Sequence, residues 1–131
     1  METSLYVADL DRAAGFYRAL FGLETFMQDQ RMVALGLPGG AVLLLFARGA
    51  TAAPAPAPDG GHIPPHGGNG ALHLCLAIPW GELAAWEGRL AAQGIDVESR
   101  VRWPRGGTSL YFRDPDGHSI ELATPGLWPN A

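Results

Sequence analysis

Glu2, His73 and Glu121 are the side chains in this sequence whose chemistry and strand parity point to a common purpose. Successive side chains on a strand face opposite ways, so in the stretch 72–78 the residues Leu72, Leu74, Leu76 and Ile78 share one face and His73, Cys75 and Ala77 share the other. The leucine face belongs under a helix, which turns His73 towards the opposite, concave side. The same parity puts Glu2, Ser4 and Tyr6 on that side of the first strand, and Ser119, Glu121 and Ala123 on that side of the last. One imidazole and two carboxylates can hold Zn²⁺, Mn²⁺, Fe²⁺, Ni²⁺ or Mg²⁺ and leave coordination positions free for substrate oxygens. Without a cation two neighbouring carboxylates repel and one takes up a proton. Glu2 and Glu121 are therefore also the candidate catalytic acids and bases, and a metal-free pocket in which Glu2 binds a cationic ligand stays open.

Two stretches carry the same order of signals and supply the elements that must position these groups. In the first, Glu2–Val7 reads as a strand and Asp9 as an N-cap. Ala13, Tyr17, Leu20 and Phe21 then form the buried stripe of a helix stopped by Gly22, and Leu23–Met27, Met32–Leu35 and Ala41–Ala47 are strands. In the second, Leu72–Ile78 is a strand and Pro79 opens a helix with the stripe Leu83, Trp86 and Leu90. Gly94 stops that helix, and Ile95–Val101, Ser109–Arg113 and Ser119–Ala123 are strands. An offset of 71 residues superposes the copies, pairing Leu5 with Leu76 and Val7 with Ile78. Glu2 then corresponds to His73 and, through the glycines that precede them, Leu44 to Glu121.

The remaining candidates line the site. Tyr6, Cys75 and Tyr111 have the parity of pocket residues, and Val42, Leu44 and Phe46 make one wall apolar. Arg105 and Arg113 are candidates for an anionic substrate, with pairing of Arg113 to Asp114 or Asp116 as the alternative. His62, His66 and His118 fall in the linker and a turn and are expected to face solvent, and the tryptophans to pack helices or anchor termini. The proline- and glycine-rich segment 49–70 reads as a flexible connector, with a lid over a cavity as the alternative.

Composition bounds the function classes. The chain has 131 residues, 47% of them hydrophobic, enough for one ordinary core. A net charge of −4 argues against nucleic acid and anionic membranes, and no apolar run approaches the roughly 20 residues of a spanning helix. Arg100, Arg102 and Arg105 cluster, which reads as a solvated edge. The single cysteine, Cys75, excludes an intrachain disulfide and suits the cytoplasm, where the chain is expected as a soluble protein.

The segments LYVADLDRAAGFYRALFGLE and RDPDGHSIEL, with the strand GALHLCLAI between them, resemble the signature segments of the vicinal oxygen chelate superfamily, which includes glyoxalases, bleomycin-resistance proteins and extradiol dioxygenases. The resemblance implies an α+β fold of two tandem βαβββ modules forming a cup-shaped mixed sheet. On this chain that gives one domain, 1–131, with modules at 1–48 and 71–124, the linker 49–70 and a tail 125–131. It implies Glu2, His73 and Glu121 as ligands of a divalent metal that chelates neighbouring oxygens of a small molecule and stabilises an oxyanion or enediolate. Members with a three-residue site commonly show His, His and Glu, so Glu2 stands where the first histidine would be and shifts preference towards harder ions. Lyase, isomerase and dioxygenase chemistry all occur on this scaffold. No cluster resembles the potassium loop of the fosfomycin-resistance transferases, and no set of arginines is evident for gripping glutathione. The alternative implied is a metal-free, drug-sequestering protein of the bleomycin-resistance type. The smaller members usually dimerise, so a homodimer with C₂ symmetry is expected.

Overall fold

A computed structural model describes residues 1–130, so Ala131, the last residue of the expected tail, lies outside the described residues. The chain divides into two compact units, Met1–Gly70 and a second beginning at Ala71.

In the first unit, β1 (Glu2–Val7) leads into α1 (Leu10–Phe21), followed by β2 (Glu24–Gln28), β3 (Met32–Leu37) and β4 (Ala41–Ala47). The sheet order is β1-β4-β3-β2, with β1 parallel to β4 and the other pairs antiparallel. Asp9 caps α1 by accepting from the Arg12 backbone N–H, and Gly22 closes it in the left-handed conformation. Ala13, Ala14, Tyr17 and Leu20 are the buried stripe of α1; Phe21, expected in it, is only half-buried. The buried sheet residues Leu5, Val7, Val33, Leu35, Leu43 and Leu45 alternate with the opposite, open face, which carries Glu2, Ser4, Tyr6, Met32, Ala34, Val42, Leu44 and Phe46. A bulge between Thr25 and Met27 frees Phe26 from the ladder, and its ring lies against Gly36, where any side chain would collide with it.

The second unit repeats the pattern. β7 (His73–Ala77), α2 (Leu83–Ala92), β8 (Ser99–Arg102), β9 (Thr108–Arg113) and β10 (Ser119–Ala123) give the order β7-β10-β9-β8, with β7 parallel to β10. The registers reproduce the alignment drawn from sequence: Ser4 pairs with Leu44 in one unit and Cys75 with Glu121 in the other. Leu74, Leu110, Phe112, Ile120 and Leu122 are buried, and His73, Cys75, Ser109, Tyr111 and Glu121 occupy the other face.

Two expected boundaries shift. Helix α2 starts at Leu83 rather than Pro79, because Glu82 N–H closes a turn on the Pro79 carbonyl through Gly81 at φ 84°, which is not helical. The strand expected from Ile95 begins only at Ser99. Gly94 and Ile95 are spent closing α2, donating to the Ala91 and Leu90 carbonyls in a Schellman arrangement, and the ladder to β9 resumes at Glu98. No helix among the described residues is long and apolar enough to cross a membrane.

The linker is not a loose connector. It forms a short hairpin, β5 (Ala55–Pro56) with β6 (His62–Ile63), and is closed on itself where His66 N–H donates to the Thr51 carbonyl and the Thr51 hydroxyl donates to the His66 carbonyl.

Candidate metal centre and ligand cavities

His73 opens β7 and Glu121 sits at the centre of β10 on the same face. His73 Nδ1 lies 3.0 Å from the Ser119 carbonyl. A carbonyl can only accept, so Nδ1 carries a proton, and in the neutral ring Nε2 presents its lone pair. That lone pair faces Glu121 Oε2 at 3.2 Å, with the imidazole half-exposed and the carboxylate nearly buried. The other carboxylate oxygen, Oε1, accepts from Ser109 Oγ, which itself accepts from the Trp103 indole N–H at 2.8 Å. Glu121 is thus oriented from behind while its free edge meets an imidazole lone pair. Two acceptors face one another, and a proton or a cation between them resolves the repulsion. An imidazole held by a backbone carbonyl through its far nitrogen is also how metal-bound histidines are oriented, so this donor pair fits a divalent ion.

A cavity of about 380 Å³ surrounds the pair, lined by His73, Cys75, Trp103, Tyr111, Glu121, Leu127 and Trp128. Tyr111 stacks on His73 with ring centres 6.3 Å apart. Desolvation, and after it the Glu121 carboxylate, pushes the Cys75 thiol up to about 12 although the residue reaches the surface, so at neutral pH it is a thiol rather than a nucleophilic thiolate. The Tyr111 hydroxyl is raised by the same two causes in the same order and stays protonated. Ser109 and Leu127 carry no expectation from the sequence as lining residues, and Trp103 and Trp128, expected to pack helices or anchor termini, line the cavity. Ser109 shares the parity of Tyr111, a signal that was available, whereas the tryptophans reach the cavity from a turn and the tail, where parity says nothing.

Several expectations are corrected. His118 does not face solvent: it is fully buried, and its Nδ1 accepts from the Leu72 backbone N–H. Asp114 accepts from the backbone N–H groups of Asp116 and His118, so the Asp114–His118 segment is a clasp fixing β10 against the start of β7, where His73 stands. Arg113 pairs with Glu98 at 3.1 Å, not with Asp114 or Asp116, and Arg100 pairs with Glu87.

In the first unit Glu2 lies exposed at the start of β1 and lines a cavity of about 670 Å³. Met32, Ala34, Val42, Leu44 and Phe46 form its apolar wall, and Ile63–His66 of the linker complete it. His66, expected in solvent, is half-buried, with its Nδ1 2.6 Å from the Tyr6 hydroxyl and its ring edge against Phe46. His62 is exposed. The linker runs so close to Tyr6 that a Cβ at Gly68 would run into the tyrosine ring. Gly68→Ala is therefore expected to raise the rate of limited proteolysis within residues 49–70 several-fold while barely lowering the melting temperature; an unchanged rate would show that the strap does not depend on this contact.

Among the described residues no group of three or more His, Cys, Asp and Glu side chains gathers as a metal site. The second unit brings His73 and Glu121 together, and the first places Glu2 on its own open face.

Comparison with known proteins agrees with this architecture. The family described as Glyoxalase/Bleomycin resistance protein/Dioxygenase superfamily matches residues 2–122. The crystal structure of lactoylglutathione lyase from Agrobacterium tumefaciens is 40% identical, with a TM-score of 0.87 over 98% of this chain and 95% of that one. An integron cassette protein from the mobile metagenome of Halifax Harbour sewage outfall shares the fold at 21% identity, with a TM-score of 0.75 over 95% of this chain and 96% of that one. The metallothiol transferase FosB of Bacillus licheniformis is 40% identical over 53 residues, which is 40% of this chain and only 34% of that enzyme. With the duplicated βαβββ topology and a family match that runs through both units, the chain belongs to the Glyoxalase/Bleomycin resistance protein/Dioxygenase superfamily.

Proposed function

We propose that this chain is a metal-dependent enzyme acting on a small molecule with adjacent oxygens, with Glu2, His73 and Glu121 as the metal ligands. The observation that carries this reading is the His73 Nε2 to Glu121 Oε2 contact of 3.2 Å, in which the lone pairs converge because Ser119 and Ser109 fix the opposite edges of both groups. A bound divalent ion supplies Lewis-acid polarisation of the substrate oxygens. The chain's own groups do the rest. Ser109 and Trp103 hold the Glu121 carboxylate in one rotamer. Tyr111 and Cys75, both kept protonated, offer hydrogen-bond donors instead of nucleophiles. Trp103, Leu127 and Trp128 exclude water from one side of the cavity. Glu2 and Glu121 are the carboxylates available to move a proton.

Among lyase, isomerase and dioxygenase chemistry, the 40% identity to a lactoylglutathione lyase over nearly the full chain favours the lyase class. The partial likeness to a metallothiol transferase supports metal dependence. A cytoplasmic homodimer belongs to the same reading, supported by the free Cys75 and by Phe26 and Met27, exposed on the edge strand β2. The apolar wall of the larger cavity favours, as the second reading, a metal-free protein that sequesters its ligand.

Elemental analysis of protein purified without tag or chelator, with thermal shifts for Mn²⁺, Fe²⁺, Ni²⁺, Zn²⁺ and Mg²⁺ on the stripped form, tests the choice. About one metal per chain and a shift of several degrees are expected. No metal and no shift would leave the sequestering reading in its place.

A further inference from the structure

We infer that the larger cavity takes an elongated apolar acid whose carboxylate is anchored by Arg31. Arg31 lies just ahead of β3 and lines the cavity. Its Nε is buried without a hydrogen-bond partner, a costly condition for part of a charged group. The guanidinium stands 5.6 Å from the centre of the Phe46 ring, and none of the ion pairs among the described residues takes it up. Nε itself has no accessible surface, so a ligand carboxylate would meet the guanidinium through its terminal nitrogens, a planar pair of donors that the Phe46 face orients and that no ion pair among the described residues occupies.

The register gives the ligand its shape. Met32 pairs with Phe46 and Phe46 with Tyr6, so Arg31 stands at the Tyr6 end of the sheet, whereas Glu2 pairs with Val42 at the other end. Four residues of parallel strand separate Glu2 from Tyr6, or about 13 Å. Apart from Ser4, the side chains between are apolar, Met32, Ala34 and Leu44, and Ile63 and Pro64 of the linker also line the cavity. A small polar or doubly charged substrate leaves that middle stretch wetted and wasted. An acid with an apolar body fills it, keeps its carboxylate far from the Glu2 charge, and lies within the size range of small-molecule sites.

This assigns a ligand class to the cavity of the first unit and stands apart from the proposed metal centre, since the acid itself needs no metal to bind. Calorimetry on the metal-stripped full chain with octanoate, octanol and octylammonium provides the test. Octanoate is expected to bind at least tenfold more tightly than either comparator. Arg31→Gln is expected to weaken octanoate about tenfold, Arg31→Lys by less, and neither to change metal stoichiometry. Equal binding of the three probes to the unaltered protein would overturn the inference whatever the variants do, as would a Kd for octanoate within twofold of the original in Arg31→Gln. Metal binding without selective octanoate binding removes the anchor and leaves the metal reading standing. The converse result removes the metal reading and leaves the anchor.

Discussion

His73→Ala is expected to lower metal binding sharply, and with it the thermal stabilisation that metal brings, while the stripped protein unfolds almost where the unaltered one does. The two halves of this outcome come from different features of the site. His73 is half-exposed at the first position of β7, and its ring contributes one hydrogen bond to a carbonyl and a loose stack on Tyr111. Truncating such a surface side chain costs on the order of 0.5 kcal/mol. Removing it also relieves the confrontation of lone pairs with Glu121, which acts in the opposite direction. In the metal-loaded protein the balance changes. An ion present at a hundred times its Kd stabilises the fold by about 2.7 kcal/mol. For a domain of this size that is a rise of roughly 10 °C in Tm. Without the imidazole only carboxylates remain among the proposed ligands, and the rise should vanish for Zn²⁺ and Ni²⁺, which favour nitrogen, before it vanishes for Mg²⁺. Unchanged stoichiometry in this variant would take His73 out of the centre.

The division between what was legible in the sequence and what was not follows the range of the forces involved. Strand parity and helix periodicity are local, so the faces of β1, β7 and β10, the Asp9 cap and the glycine stops could be read residue by residue. The duplication was legible because two copies of a hydrophobic pattern must fold alike, and the registers of Ser4 with Leu44 and Cys75 with Glu121 show that they do. The misread residues are those whose partners lie far away along the chain. His66 sits amid prolines and glycines and looked solvent-facing, yet its partner Tyr6 is 60 residues earlier. His118 follows a turn, yet its Nδ1 serves a backbone N–H 46 residues away. Arg31 carried no motif at all; only the path of the linker and the place of Phe46 reveal a buried nitrogen without a partner.

Glu121→Leu should separate the cost of this centre from its use. The first unit already contains the experiment in natural form, since Leu44 occupies the equivalent register position opposite Ser4 and is accommodated on an otherwise similar strand. In the second unit that position holds a nearly buried carboxylate between Ile120 and Leu122, both fully buried. A carboxylate there forfeits hydration that the Ser109 hydroxyl, the Cys75 and Tyr111 donors and an imidazole do not replace in full. Leucine fills a similar volume without that penalty. It leaves the Ser109 hydroxyl without its acceptor, at about 1 kcal/mol, although Ser109 still accepts from Trp103. The two effects nearly offset, so urea unfolding of the stripped variant is expected to give a stability within about 1 kcal/mol of the original or above it, as buried charges replaced by packed apolar groups often do. Metal content of the same preparation should fall to background. That combination, a residue dispensable for folding and indispensable for the ion, is the mark of a group kept for function. A loss of more than about 3 kcal/mol would instead mean that the Trp103–Ser109–Glu121 chain holds β9 to β10, and the carboxylate would then have to be counted as part of the scaffold.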